Sequence, residues 1–271
     1  NSEWLVVEAC EWNAHFLHLT PFITVITNVE PDHLDYYRDI DHIVETFQEL
    51  VNKTKDTVVI NADDAQSKRL SISKSASFTA NDPEVPPLLV PGQFNRANAA
   101  AALGVVRTLG GDVQKAAQAL AQYRGAWRRF EVLGEFNGAT IVSDYGHHPT
   151  AVSGTIQAAR EACPGRRIVV AFHPHHQNRT KTLFNEFVES FDGADVIVIN
   201  EIFRVPGREQ FKDEEISSQQ LVDAIRARGK EAEYSPDLAH TDAWLRAHLK
   251  AGDVALIMGA GDIYKVAEKL V

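Results

Sequence analysis

The chain has 271 residues, 44% of them hydrophobic, 24% charged and 8% aromatic. That is enough apolar side chain for real cores and too much chain for one small module, and it excludes the disordered and low-complexity classes. Lys and Arg number 27 against 37 Asp and Glu, a net charge of −10, which works against a broad nucleic-acid or anionic-membrane surface while leaving room for local basic pockets. Short apolar runs then alternate with helical patterns, the signature of mostly parallel sheets with helices on their faces. Residues 4–9, 22–27 and 57–60 read as strands, with a helix over 41–51 between the second and third. The Ser-, Lys- and Pro-rich stretch 67–91 reads as an irregular connection. An Ala-rich helix follows over 95–109, stopped by Gly110-Gly111, and another over 113–123.

Gly125-Ala126-Trp127 reads as a boundary, so 1–124 and 125–271 are expected to be two domains. Beyond it, strands 130–136 and 139–143 are joined by an Asn137-Gly138 hairpin signal. Next come a helix (150–163), a strand (167–172), a helix (180–191), a strand (195–200), helices over 217–228 and 241–250, a strand (253–258) and a closing helix (262–270). The expected fold is α/β: a partial central α/β domain with few strands for its length, then a complete Rossmann-like, doubly wound domain. Cys10 and Cys163 lie far apart and form neither a disulfide framework nor a C-x-x-C site, so both are expected as buried small residues in a reducing cytoplasm. No apolar stretch approaches the roughly 20 residues that span a bilayer. The start, Asn1-Ser2-Glu3-Trp4, carries no signal-like run, and with Met258 the only Met it reads as a cut end.

Four polar clusters follow apolar runs or open a helix, the first of them after 22–27. Ligands of open α/β sheets bind outside the carboxyl ends of strands, so His33 with Glu30, Asp32 and Asp35 is placed for metal or phosphate chemistry, or is a polar loop capping the next helix. Glu8 and Glu11 end the preceding run, and if the two runs are sheet neighbours these acids and His33 share a crevice that suits Mg²⁺. In Pro91-Gly92-Gln93-Phe94-Asn95-Arg96-Ala97-Asn98, Asn95 and Asn98 lie on one helix face and can present amides to a nucleotide, Asn95 as a simple N-cap being the alternative.

Asp144-Tyr145-Gly146-His147-His148-Pro149-Thr150 sets a carboxylate, a phenol and two imidazoles at a strand-to-helix turn, suited to an anionic group and a tuned proton transfer. Phe172-His173-Pro174-His175-His176-Gln177-Asn178-Arg179-Thr180 is another such turn. Its three histidines lack a local Cys or acid, which disfavours zinc, while Arg179 suits a carboxylate. Gly259-Ala260-Gly261-Asp262 lacks the third glycine of a dinucleotide fingerprint and reads as a tight turn lining the same crevice. Arg128-Arg129-Phe130 is either a solvated face or reaches a phosphate between the domains.

In this order the motifs resemble the Mur ligase family, ATP-dependent amide ligases of peptidoglycan precursor synthesis, over nearly the whole chain. Glu8-Ala9-Cys10-Glu11 with Phe16-Leu17-His18-Leu19, Thr27-Asn28 to Asp35, Pro91-Gly92 with Asn95 and Asn98, Arg128-Arg129-Phe130 and the two His-rich turns carry the likeness. It implies Glu8 and His33 as Mg²⁺ ligands, Asn95 and Asn98 on the nucleotide, and Arg129 and Asp144 reaching ATP. It places Tyr145, His147, His175 and Arg179 around an incoming amino acid, and makes His33, Arg129 and Asp144 the catalytic set. The implied reaction, in the cytoplasm and serving cell-wall growth, shape and division, phosphorylates a muramyl carboxylate and lets an amine attack the acyl phosphate. Phe47 stands fourteen residues after His33, where ligases adding later residues carry a modified Lys. This points to the branch that joins L-alanine to UDP-N-acetylmuramate or to its relative that attaches a recycled tripeptide. His176 stands where the alanine branch usually has Arg, and Ser143 where a second Asp is usual. No G-x-x-x-x-G-K-[ST] occurs in the sequence. The resemblance therefore implies a fragment that lacks the N-terminal domain and phosphate loop and is inactive alone, a non-catalytic Mur-like module being the alternative. The expected partners are small molecules and the preceding region of the same protein, with no nucleic acid and no membrane.

Overall fold

The computed structural model describes residues 3–203 and 216–271. Asn1 and Ser2, on which the reading of a cut end falls, lie outside them. The chain divides into two compact units, one of Asn1–Leu88 with Phe94–Gln122 and one of Leu89–Gln93 with Tyr123–Val271.

In the first unit, strands β1 (Ile23–Ile26), β2 (Thr57–Asn61) and β3 (Ser75–Phe78) form a parallel sheet in the order β1-β2-β3. The helix α1 (Ile40–Lys53) is capped by Asp39, whose side chain accepts from the His42 amide. Its apolar stripe, Ile43, Val44 and Val51, packs with Ile26, Val29, Tyr37 and Val58 into a core. The helix α2 (Gln93–Thr108) lays Ala100 and Ala101 with Val59 and Phe78 in a second cluster. The short α3 (Val113–Leu120) follows, capped by Asp112.

Three expectations are corrected here. Residues 4–9 are not a strand: among the described residues the segment pairs with no strand, and Leu5 and Val6 are 86% and 92% exposed. Cys10 closes that segment and is exposed, and Cys163 is half-buried, so neither is a core residue. The stretch 67–91 contains β3, whose four residues bury only Phe78.

The second unit is a six-stranded sheet ordered β4-β5-β9-β6-β7-β8, made of β4 (Glu131–Phe136), β5 (Ala139–Asp144), β6 (Ile168–Phe172), β7 (Val196–Asn200), β8 (Glu231–Ser235) and β9 (Val254–Met258). Only β4 runs antiparallel, closing a hairpin on β5 through Asn137 and Gly138, whose φ of 50° and 77° are those of a type I′ turn. Around the sheet lie α4 (Pro149–Ala162), α5 (Gln177–Thr182), α6 (Phe184–Ser190), α7 (Ser218–Ala227), α8 (Leu238–His248) and α9 (Tyr264–Leu270). β6, β7 and β9 are buried on both faces, as strands of a parallel sheet covered by helices must be. The single helix expected over 180–191 is two, α5 and α6, broken at Leu183 with φ −105° and ψ 30°. The strand β8 was hidden in the sequence between two helices.

One register sets the functional end of this sheet. Asp144 of β5 and Phe172 of β6 both lie opposite Met258 of β9, so three adjacent parallel strands end level. The loops that follow each carry one of the motifs singled out from sequence.

Candidate active site

Asp144 ends β5 and is 4% exposed. Its carboxylate accepts from the amides of Phe130, at 2.8 Å, and Gly146, at 2.6 Å. Burial pushes its pKa up, while these two amides and the charge of Arg129 pull the other way. Through these two hydrogen bonds Asp144 ties the Arg128–Phe130 arch to the end of β5. Arg128 and Phe130 in that arch have left-handed backbones, φ 55° and 47°, which the amide bond to Asp144 and the bond from the Tyr145 amide to the Arg128 carbonyl hold in place.

The two arginines of the arch part ways. Arg129 is exposed, with its guanidinium carbon 5.3 Å from the centre of the Tyr145 ring. Arg128 is no solvated face: at 4% exposure its guanidinium donates to the carbonyls of Gly259 and Gly261 and lies 4.8 Å from the Tyr145 ring, 4.7 Å from Tyr264 and 5.5 Å from Trp127.

After β5 the chain turns into α4. His148 takes the N-cap, accepting from Thr150, and Pro149 occupies the first turn. The Tyr145 ring meets His147 edge-on at 5.2 Å, and His147 lies 6.1 Å from His175 of the next loop. After β6, His173 is 6% exposed and packs on the turn after β9, where a side chain at Gly261 would meet its Nδ1 at 3.2 Å. His175 is half-buried and lies flat against Phe203, 5.5 Å between centres at 11°, while His173 meets the same ring edge-on at 5.6 Å. The Nδ1 atoms of His173 and His175 are buried without a hydrogen bond.

Burial, then the neighbouring His176, Arg179, His147 and His173, drives the His175 pKa down to about 3, so its imidazole is neutral near pH 7. Arg179, on α5, extends toward the His175 carbonyl at 3.4 Å. The structure thus brings Arg129, Tyr145, His147, His175 and Arg179 to the same end of one sheet, where the two guanidinium groups suit anionic ligands. Among the described residues, no three His, Cys, Asp or Glu side chains are grouped so as to hold a metal ion. Sequence reading passed over Phe203, which follows β7 without a polar motif, and the inward turn of Arg128.

The first unit holds the other constellation. His33, itself left-handed at φ 52°, hydrogen-bonds through Nε2 to Glu11 Oε1 at 3.1 Å and lies 4.0 Å from Asp32 Oδ2. The hydrogen bond to His33 holds the Glu11 carboxyl below its usual pKa, against burial. Tyr37 donates its hydroxyl to the Glu11 carbonyl, which fixes that residue over the start of α1. The expected convergence of Glu8 on His33 is not seen: Glu8 lies exposed on the unpaired 3–10 segment, and Glu11 takes the place beside the imidazole. Asn95 and Asn98 sit in the first turns of α2, three residues apart and on one face. The helix begins at Gln93, so Asn95 is inside it and is no N-cap.

Mg²⁺ binds oxygen, keeps several waters and takes one or two protein carboxylates when it shares its shell with phosphates. Glu11 at 3.1 Å and Asp32 at 4.0 Å from the His33 imidazole give the one or two carboxylates that such an ion takes, although they form no closed cage.

The model of the Mur ligase middle domain matches residues 2–83, and that of the Mur ligase, glutamate ligase domain matches 128–261. The chain is 37% identical, over 99% of its length and 64% of the relative's, to the UDP-N-acetylmuramate–L-alanine ligase of Caldanaerobacter subterraneus. It thus spans about two thirds, just under, of the length of the curated relative it matches. Among solved structures, the UDP-N-acetylmuramate–alanine ligase of Thermotoga maritima superposes with a TM-score of 0.73 at 24% identity, over 95% of this chain and 60% of that one. A Thermotoga maritima MurF ligase in complex with ADP superposes at 0.68, with 22% identity, over 95% and 63%. At such identities these two show the fold alone, a mixed α/β architecture with a Rossmann-like second domain, whereas the domain models and the sequence relative carry the assignment: the chain belongs to the Mur ligase family.

Proposed function

We propose that the protein is an ATP-dependent amide ligase of peptidoglycan precursor synthesis that joins L-alanine to UDP-N-acetylmuramate in the cytoplasm. The observation that carries the reading is the crevice at the level ends of β5, β9 and β6, where Arg129, Tyr145, His147, His175 and Arg179 come together in a family of ligases. A relative of the same family that carries the alanine-ligase name supports the amino acid, and the ADP complex of a neighbouring fold supports the nucleotide. We assign residues 1–124 to the central nucleotide-binding domain and 125–271 to the C-terminal domain.

In this reading Arg129 faces the transferring phosphoryl group, where a guanidinium stabilises spreading negative charge. Asn95 and Asn98 contact the nucleotide, and Asp144 keeps the Arg129 arch in place. Arg179 holds the carboxylate of the amino acid. His175, kept neutral by burial, adds no positive charge beside the amine, and Tyr145 and His147 wall the site and exclude water. His33 and Glu8 are the proposed Mg²⁺ ligands, with Glu11 the carboxylate already on the imidazole; the ion supplies charge stabilisation at the phosphates. The muramyl carboxylate attacks the terminal phosphorus of ATP, releasing ADP. The amine then attacks the acyl phosphate, forms the amide and releases phosphate.

The test is ADP release by the full-length protein from ATP and UDP-N-acetylmuramate with L-alanine, in parallel with L-Ala-D-Glu-diaminopimelate tripeptide. Turnover with L-alanine is expected. Turnover with the tripeptide alone moves the protein to the recycling branch, and none with either ends the ligase reading.

A further inference from the structure

We propose that Arg128 is a positioning residue that locks the nucleotide-facing and amino-acid-facing sides of this crevice into one frame. The inference rests on the ligase reading, but it concerns a side chain to which that reading gives no role.

A guanidinium at 4% exposure is an expensive choice for filling space, because a buried cation loses its hydration and needs full compensation. Among the described residues no carboxylate pairs with Arg128, and burial pulls its pKa below the ordinary arginine value. Its compensation is of another kind: two backbone carbonyls of the turn after β9 and the faces of three aromatic rings. A Met or Leu would fill the same volume. One nitrogen of the guanidinium, Nη2, bonds the carbonyls of both Gly259 and Gly261, Nε is buried without a hydrogen-bond partner, and the planar fork stacks on Tyr145 and Tyr264, a contact a compact ammonium does not reproduce.

The contacts that leave Arg128 return to it. Its guanidinium binds the 259–261 turn, and that turn packs directly on His173. His173 meets Phe203 edge-on, Phe203 stacks on His175, His175 faces His147, and His147 meets Tyr145. Tyr145 closes the ring, with Arg128 over its own face and its amide on the Arg128 carbonyl. The circuit joins the ends of β5, β9 and β6. Arg129, on the nucleotide side, also lies over Tyr145, and His175, on the amino-acid side, is held by Phe203. Arg128 joins the circuit at two points, its side chain on the 259–261 turn and its carbonyl and ring contact on Tyr145, so loosening it frees both sides at once.

The experiment uses the full-length protein with Arg128→Met, Arg128→Lys and Arg128→Ala. Two readouts are taken: backbone hydrogen exchange at 145–147 and 259–262 without ligands, and steady-state constants for ATP and the amino acid. Faster exchange at both segments is expected, with kcat/KM for both substrates down about 100-fold in Arg128→Met, the size of effect that a misplacement near 1 Å produces. Lys, lacking the fork, recovers less than a tenth of the wild-type value, whereas added guanidinium ion restores Arg128→Ala saturably. Lys retains charge and stem, so it carries the test where the smaller variants do not fold. The proposal is overturned if folded variants exchange like wild type at 259–262, or if they lose stability alone and keep the constants for both substrates. Wild-type protein without ligase turnover, but with exchange that rises on substitution, ends the ligase reading and leaves the frame in place.

Discussion

Ser143 and Arg179 illustrate how differently two polar side chains weigh in the same domain. Ser143 is 2% exposed on β5 and its hydroxyl has no hydrogen-bond partner, so it bears the cost of desolvation with nothing in return. Ser143→Ala is therefore expected to leave stability unchanged or raise it by up to about 1 kcal/mol in urea unfolding, and a loss beyond that would show that the hydroxyl has a partner in solution. Arg179 is instead proposed to act in binding. In the full-length enzyme Arg179→Ala should raise KM for the amino acid by tenfold or more, the order of a lost charge-assisted bidentate bond, with kcat changed less. An unchanged KM would remove Arg179 from the amino-acid site. His33→Ala should instead weaken the Mg²⁺ dependence of ATP turnover, read as a rise in the Mg²⁺ concentration at half-maximal rate, and a Mg²⁺ titration that coincides with wild type would take His33 out of the metal shell.

At the scale of elements, the turn after β9 depends on its glycine. Gly259 has φ 143°, and a Cβ there would lie 2.7 Å from the His173 carbonyl oxygen, a backbone atom that cannot swing away. Gly259→Ala should cost about 1–3 kcal/mol and should also slow turnover by moving the carbonyl that Arg128 holds. Thermal unfolding together with kcat checks both, and a variant as stable as wild type would mean that the turn relaxes freely. The elements legible in the sequence were those whose apolar pattern and end signals agreed, such as α1 with its Asp39 cap and the β4–β5 hairpin with Asn137-Gly138. β3 and β8 escaped because both are edge strands: Ser75–Phe78 buries one side chain, and Glu231–Ser235 buries Ala232 and Ser235 among charges. The opposite error at 4–9 has a matching cause. An apolar run states what a segment can bury, and a strand also needs a neighbour to bond. In the site, Tyr145, His147, His175 and Arg179 were legible because each follows a clear strand. Glu11 was read into one crevice with His33, but the inward turn of Arg128 was not legible, since it depends on left-handed backbone at Arg128 that no composition signal marks.

In the second unit, titratable groups at the same end of one sheet set opposite pH dependences, His175 with the buried His173 beside it, whose pKa burial also lowers, against Asp144. His175 has a folded pKa of about 3 against 6.5, so between these values the unfolded chain holds the extra proton and stability rises with pH. Its contribution is complete above pH 6.5 and lost as pH falls through that window. Asp144 is shifted upward by burial from 3.8, so the folded state holds the extra proton and stability falls as pH rises past 3.8. Each slope is at most about 1.4 kcal/mol per pH unit, the value for one proton, and where the windows overlap the two oppose each other. Removing one group therefore exposes the other. In urea unfolding at a series of pH values between 4 and 8, Asp144→Asn should gain on wild type as pH rises. A His175→Asn variant should be ahead of wild type at the acid end and lose that advantage by pH 7. Parallel curves for wild type and both variants would mean that neither group titrates differently in the folded crevice. The neutral imidazole proposed for the amino-acid side would then have no support.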